Sequence, residues 1–133
     1  MRVLLWVLQV LLALVFLAHG LLLLFPPAAI ADQMNASLPR ALWVFLGVAE
    51  VLAAGGLTLP AILRIHPWLV PTAAAGLMIV MTGATIYHSA RGETTSAITT
   101  AVLLLLVTFV AYMRWRVLPI WSRAVHLEAR THG

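Results

Sequence analysis

The sequence predicts an all-α protein, a bundle of four transmembrane helices, and three observations predict it. Hydrophobic residues make up 63% of the 133-residue chain and charged residues only 9%. Mean hydropathy is +1.05, and a soluble domain typically carries about 25% charged residues. Too few polar side chains therefore remain to cover a water-facing surface. Four separate apolar segments also reach the roughly 20 residues that a helix needs to cross a bilayer.

The predicted spans follow one another with short breaks. Span 1 stops at Pro26-Pro27, and Pro71 falls in the first turn of span 3, where its missing N–H costs least. The apolar run of span 1 continues through Leu24, beyond the roughly 7–15-residue core of a signal peptide, so we expect a retained helix. The four spans cover residues 3–25, 41–62, 68–88 and 96–118 of a single domain, residues 1–133.

The longest connection, PPAAIADQMNASLPR, joins spans 1 and 2 and holds Asp32, Gln33 and Asn35. It either lies across the outer mouth of the bundle or is a solvated linker, and we favour the linker.

All eight basic residues are arginine, and they lie singly near the ends of the spans. Four spans place six of them on one side of the membrane and two on the other, which predicts that both termini are cytoplasmic. This scatter suits membrane topology better than a nucleic-acid footprint, so we expect no nucleic-acid partner. The larger set is Arg2, Arg64, Arg114, Arg116, Arg123 and Arg130, and the smaller set is Arg40 and Arg91.

The chain contains no cysteine. Disulfides, thiolate metal sites, iron–sulfur clusters and dithiol redox chemistry carried by this chain are therefore excluded. No motif with metal-ligand spacing, such as HExxH, is present. We expect no metal site, and the sequence identifies no cofactor.

Span 2 carries one carboxylate, Glu50, among apolar residues. Glu50 lies about 13 Å below the outer end of its helix, and His19 lies about 9 Å deep in span 1, so antiparallel neighbours could bring them together. A charged carboxylate at mid-membrane costs about 2.5–3.5 kcal/mol. Glu50 is therefore either protonated or paired with a histidine, and both states provide a proton-exchanging group for acid–base chemistry.

Helical spacing gathers further polar groups near Glu50. Trp43 and Gly47 share one face of span 2 with it, and the outer half of span 3 is polar and ends in His88. We expect a small cavity, open toward the outer leaflet, lined by Trp43, Glu50, His19 and His88 and closed below by the small residues at 53–56 and 73–76. The predicted catalytic residues are Glu50, His19 and His88, and the predicted substrate-binding residues are Trp43, Gly47, Thr82, Thr85 and Tyr87.

Each of these residues also has a purely structural interpretation. A buried glutamate can tie helices together through hydroxyl groups, and a single membrane histidine often forms a helix–helix hydrogen bond. His88 and Trp43 lie near span ends, where such side chains anchor helices at the interface. The sequence leaves these alternatives open.

The segments LLALVFLAHGLLLLF, LGVAEVLAAGGLTLP and HPWLVPTAAAGLMIVMTGATIYH resemble the DoxX-like family of small four-helix bacterial membrane proteins. The resemblance covers about residues 4–115 and carries over Glu50, Pro60, Gly83 and His88. It implies a multi-pass protein of the bacterial inner membrane, with relatives linked to thiosulfate:quinone oxidoreduction and to oxidoreductase assemblies. Leucines follow Gly20 where many members have a lysine, so an anion-binding lysine is not carried over.

Two functions follow, and a third ranks below them. The first is an acid–base enzyme, of isomerase, epoxide-opening or cyclase type, acting on a small hydrophobic lipid, terpenoid or quinone-like substrate within the bilayer. The second is a non-catalytic membrane subunit or anchor that binds a partner protein of an oxidoreductase or assembly complex. The third is a proton-coupled exporter of small molecules.

Overall fold

The computed structural model describes residues 1–66 and 68–118. Four helices in this part are long and apolar enough to cross a membrane, which confirms the predicted all-α transmembrane bundle. Arg123 and Arg130, which entered the orientation prediction, lie outside the described residues, as does the end of the predicted domain. The helices are α1 (Arg2–Leu24), α2 (Ala28–Ser37), α3 (Arg40–Leu63), α4 (Leu69–Ala90) and α5 (Thr94–Tyr112), and a π-helical segment, the π-turn (Met113–Val117), continues α5.

The connection between the first two spans is a helix, α2, rather than the linker favoured from the sequence. Pro27 caps its start in an extended conformation, and alanine, the best helix former, recurs through the segment. The helix ends at Ser37 because Leu38 precedes Pro39, and a residue before proline is pushed into the extended region. The ten residues of α2 are therefore bounded by a proline on each side, Pro27 before the helix and Pro39 after it.

Each transmembrane helix packs on the next. α1 packs against α3, α3 against α4 and α4 against α5, and α5 closes the bundle against α1. The outward faces carry large apolar side chains, as a lipid-facing surface requires. The core residues include Leu5, Leu12, Phe16, Leu57, Leu77, Val107 and Val110, and the outward ones include Leu11, Leu52, Ile79, Ile98 and Leu105.

The bundle has two ends. The α2 end holds the end of α1, α2, the start of α3 and the α4–α5 turn, and the terminal end holds the start of α1, the α3–α4 connection and the π-turn. Toward the terminal end α3 and α4 approach closely. A Cβ added to Gly56 would lie only 2.8 Å from the Ala73 Cβ, so glycine is what allows this distance between the helices. Which end faces the cytoplasm stays a prediction.

Candidate functional site

His19 on α1 and Glu50 on α3 form a direct contact inside the membrane-spanning region. The imidazole Nδ1 lies 2.6 Å from the carboxyl Oε2. The Glu50 side chain is only 2% exposed, whereas the His19 side chain is 51% exposed. The carboxyl group is therefore enclosed by the bundle, whereas the imidazole reaches the surface of the bundle.

Two glycines allow this contact. A Cβ added to Gly20 would lie 2.9 Å from the Gly47 carbonyl oxygen and 3.2 Å from the Glu50 Cβ. A Cβ added to Gly47 would lie 2.8 Å from Leu24 Cγ. The sequence interpretation of Gly47 as a substrate-binding residue does not fit this position, because α1 already fills the space beside it.

The Arg40 side chain ties the start of α3 to the end of α1. Arg40 donates through Nη1 to the carbonyl of Leu23 at 2.8 Å and through Nη2 to that of Leu24 at 2.5 Å. These are terminal carbonyls of α1, which lack partners within the helix, and a cation at a helix C-terminus is favourable. The sequence indicates only the contribution of Arg40 to membrane topology, because position near a helix end does not show which carbonyls the side chain reaches.

Trp43 points toward α2 rather than standing free above Glu50. Its indole Nε1 donates to the Met34 carbonyl oxygen at 2.9 Å. The predicted substrate-binding tryptophan thus holds α2 against the start of α3, and the N–H that would orient a ligand is already engaged.

His88 belongs to a second cluster, at the α4–α5 turn. Its Nδ1 lies 2.5 Å from Glu93 Oε2, and Arg91 Nε donates to Glu93 Oε1 at 2.7 Å. The Tyr87 ring lies edge-on to the His88 ring at 5.3 Å and under the Arg91 guanidinium at 5.3 Å. Among the described residues, His88 is therefore paired with Glu93, five residues along the chain, and not with Glu50.

The charges of this second cluster shift two pKa values outside the membrane-spanning segments. Hydrogen bonds from Arg91 and then from His88 hold the pKa of the Glu93 carboxyl below its ordinary value. The same carboxylate raises the pKa of Arg91. The groups are exposed, so water screens the pair and its contribution to stability is small.

The two threonines predicted to bind substrate lie on α4, away from the His19–Glu50 pair. Thr82 is exposed and donates to its own helix at Met78 O, and Thr85 donates to Met81 O and contacts Thr100 Oγ1 at 3.0 Å. Thr85 also lines a shallow concavity of about 390 Å³ between α4 and α5. Thr85 thus faces α5, whereas Thr82 lies on the exposed surface of α4.

The sequence matches the DoxX-like family over residues 7–110. This chain belongs to the DoxX-like family. It is accordingly an integral, multi-pass membrane protein with four spanning helices. No curated protein and no solved structure matches the chain.

The positions carried over from the DoxX-like resemblance differ in their surroundings. Glu50 and Pro60 are buried on α3, and Pro60 lies in the last turn of that helix. Gly83 on α4 has open space where a Cβ would stand. His88 closes α4 at the turn. Only Glu50 is both ionisable and enclosed, so in this DoxX-like protein the contact with His19 is the candidate site.

Proposed function

We propose that this DoxX-like protein is a membrane-embedded acid–base catalyst, acting on a small hydrophobic molecule that reaches it from the lipid. The observation that supports the proposal is the 2.6 Å contact between an enclosed carboxyl group and a half-exposed imidazole. The reaction class is isomerisation, epoxide opening or cyclisation of a lipid, terpenoid or quinone-like substrate. The bacterial inner membrane is the location that family membership favours.

The contact favours a division of roles within the pair. Glu50 occupies Nδ1 of His19, and the other ring nitrogen, Nε2, has no hydrogen-bond partner among the described residues. Nε2 is therefore the atom available to exchange a proton with a substrate. Glu50 orients the ring and stabilises the imidazolium, so the proton-exchanging role moves from the glutamate to the histidine.

The His19–Glu50 pair carries no net charge, which explains why lipid surroundings tolerate it. With one shared proton it is either a carboxylic acid beside a neutral imidazole or a carboxylate beside an imidazolium, and the total charge is zero in both states. An unpaired carboxylate would cost about 2.5–3.5 kcal/mol at mid-membrane. A proton can thus move within the pair without moving net charge into the bilayer.

The exposed imidazole defines how a substrate would arrive. His19 lies on the outer surface of α1, beside the exposed apolar side chains of Val15 and Leu22. A hydrophobic molecule dissolved in the bilayer can reach Nε2 laterally, without entering an enclosed cavity. Water-soluble, charged substrates are disfavoured at this surface.

The test compares cells that express the wild type, His19→Gln, Glu50→Gln or His66→Gln, with total lipid extracts analysed by mass spectrometry. We expect a wild-type product that is isomeric with its precursor or differs by one water. Loss of acid–base catalysis should lower its formation about a hundredfold or more in the first two variants. His66 is an exposed histidine outside the helices, so His66→Gln should keep the product. Unchanged product in folded His19→Gln and Glu50→Gln would remove the pair from the chemistry.

The same exposed imidazole also favours the second candidate, a non-catalytic membrane subunit. A polar side chain at a lipid-facing surface gains a hydrogen bond when a partner helix covers it. Purification in a mild detergent distinguishes the two. A stoichiometric protein partner that His19→Gln releases would favour the subunit, whereas a protein that purifies alone with a lipid-like molecule favours the catalyst.

A further inference from the structure

We propose that the terminal end of the bundle holds an anion-binding site for a phosphate group, with Arg114 as its buried cation. Arg114 extends from the π-turn into the bundle and is 6% exposed. Its Nε donates to Gln9 Oε1 at 2.9 Å and its Nη1 to Leu118 O at 3.3 Å. The Gln9 amide donates in turn to Leu57 O, which joins α1, α3 and the π-turn.

These contacts position the guanidinium but do not neutralise its charge. Gln9 and Leu118 are uncharged acceptors, and the Trp6 ring, 5.5 Å from the guanidinium carbon, offers only a weak cation–π attraction. Among residues 1–66 and 68–118, no carboxylate forms a salt bridge with Arg114. Its Nη2 is buried and has no hydrogen-bond partner there. A buried charge with a spare donor is unfavourable until an anion supplies the acceptor.

The chain offers few acids that could serve as that acceptor. It contains four Asp and Glu residues. Glu50 and Glu93 are engaged with other partners, and Asp32 lies on α2 at the opposite end. Glu128 lies outside the described residues, and its role is an outcome of the test below.

A second arginine lies at the same end of the bundle. Arg2 begins α1 at the same end, and its charge acts against that of Arg114. An anion between the two would relieve this repulsion and would give Nη2 its acceptor once the side chains around it move. The planar guanidinium matches phosphate oxygens in bidentate fashion. Basic pockets between transmembrane helices bind lipid headgroups, and π-helical segments recur at functional sites.

The test measures the unfolding temperature of the full-length protein in a neutral detergent, because a ligand of the folded state raises Tm by mass action. The probes are phosphatidylglycerol, phosphatidylcholine as the neutral lipid, and inorganic phosphate. We expect phosphatidylglycerol to raise the Tm of the wild type and of Arg116→Gln. Arg114→Gln and Arg2→Gln should need about tenfold more of it for the same shift, since each loses a charged hydrogen bond.

Arg116→Gln is the matched control, because Arg116 is exposed on the same π-turn and its removal changes net charge equally. Arg2→Gln preserves the test if Arg114→Gln does not fold, since Arg2 is exposed. A shift with phosphatidylglycerol alone assigns the phosphate to a lipid, and an equal shift with inorganic phosphate assigns it to a soluble anion.

Three results would overturn the proposal. The first is equal stabilisation by the anionic and neutral lipids without any response to phosphate. The second is an equal response in Arg2→Gln, Arg114→Gln and Arg116→Gln. The third is phosphatidylglycerol binding in Glu128→Gln but not in the wild type, which would mean that the chain's own glutamate fills the site.

Discussion

At the scale of single residues, the two histidine–carboxylate contacts differ in the burial of the acid. Glu50 is 2% exposed and Glu93 is 37% exposed. Water can replace either partner in the His88–Glu93 contact at little cost, whereas Glu50 has no other described hydrogen-bond partner. The enclosed carboxyl group is thus committed to His19, and the exposed one belongs to a solvated turn.

The acidic member of the exposed cluster should titrate abnormally. Because Arg91 and then His88 stabilise the Glu93 carboxylate, its pKa lies below the ordinary value. The group therefore contributes stability above its unfolded pKa, and that contribution is lost as pH falls through the lower folded pKa. In Arg91→Gln we expect the Glu93 pKa to rise toward its ordinary value, measured by carboxyl ¹³C NMR in micelles. Arg116→Gln, at the other end, should leave it unchanged, and an unmoved Glu93 pKa in Arg91→Gln would contradict the arrangement.

At the scale of elements, the contact of α1 with α3 depends on the absence of a side chain at Gly20. A Cβ there would meet a backbone oxygen, that of Gly47, at 2.9 Å, and backbone cannot swing aside as a flexible side chain does. In Gly20→Ala we expect the helices to separate slightly and the protein to lose about 1–3 kcal/mol of stability. Thermal unfolding in detergent measures the loss.

The matched control is Gly83→Ala on α4, because nothing lies within 4 Å of a Cβ at that position. Alanine is favoured over glycine inside a helix by up to about 1 kcal/mol, so Gly83→Ala should be neutral or stabilising. Equal losses in the two variants would show that the close approach of α1 and α3 contributes nothing.

Hydropathy predicted the four spans because a membrane helix must be apolar along its whole length, a property that sequence records directly. It missed α2, whose mixed composition carries no such signal. Depth along the helices placed His19 level with Glu50, and sequential neighbours in a bundle usually pack together. Depth does not give the rotation of a side chain about the helix axis. The sequence therefore predicts a shared site for His88 and Glu50, although the partner of His88 is Glu93 in the following turn.

The same limit applies to Arg40 and Arg114. The sequence shows only their charge and position, whereas their contacts depend on which carbonyls and amides surround them. Arg40 binds the free carbonyls at the end of α1, and Arg114 binds Gln9 across the seam between α1 and the π-turn. A sequence gives the position of an arginine near a helix end but not the direction in which its long side chain extends.

At the scale of the whole molecule, the orientation of the bundle determines what each site meets. The terminal end carries Arg2, Arg64, Arg114 and Arg116 of the described arginines, and the α2 end carries Arg40 and Arg91. The excess predicts a cytoplasmic terminal end. That orientation would put the His19–Glu50 pair in the outer half of the membrane and the Arg114 site beside the cytoplasmic leaflet, where anionic lipids act.

Single-cysteine labelling tests this orientation without background, because the chain has no cysteine of its own. Gln33→Cys places a thiol on the exposed surface of α2, and His66→Cys places one in the α3–α4 connection. A membrane-impermeant maleimide should label Gln33→Cys in intact spheroplasts, which are cells stripped of any outer membrane and cell wall. It should label His66→Cys only after the membrane is broken, which also controls for reactivity. The reverse pattern would place the terminal end outside, and it would move the Arg114 site to the outer leaflet and the histidine–glutamate pair to the inner half.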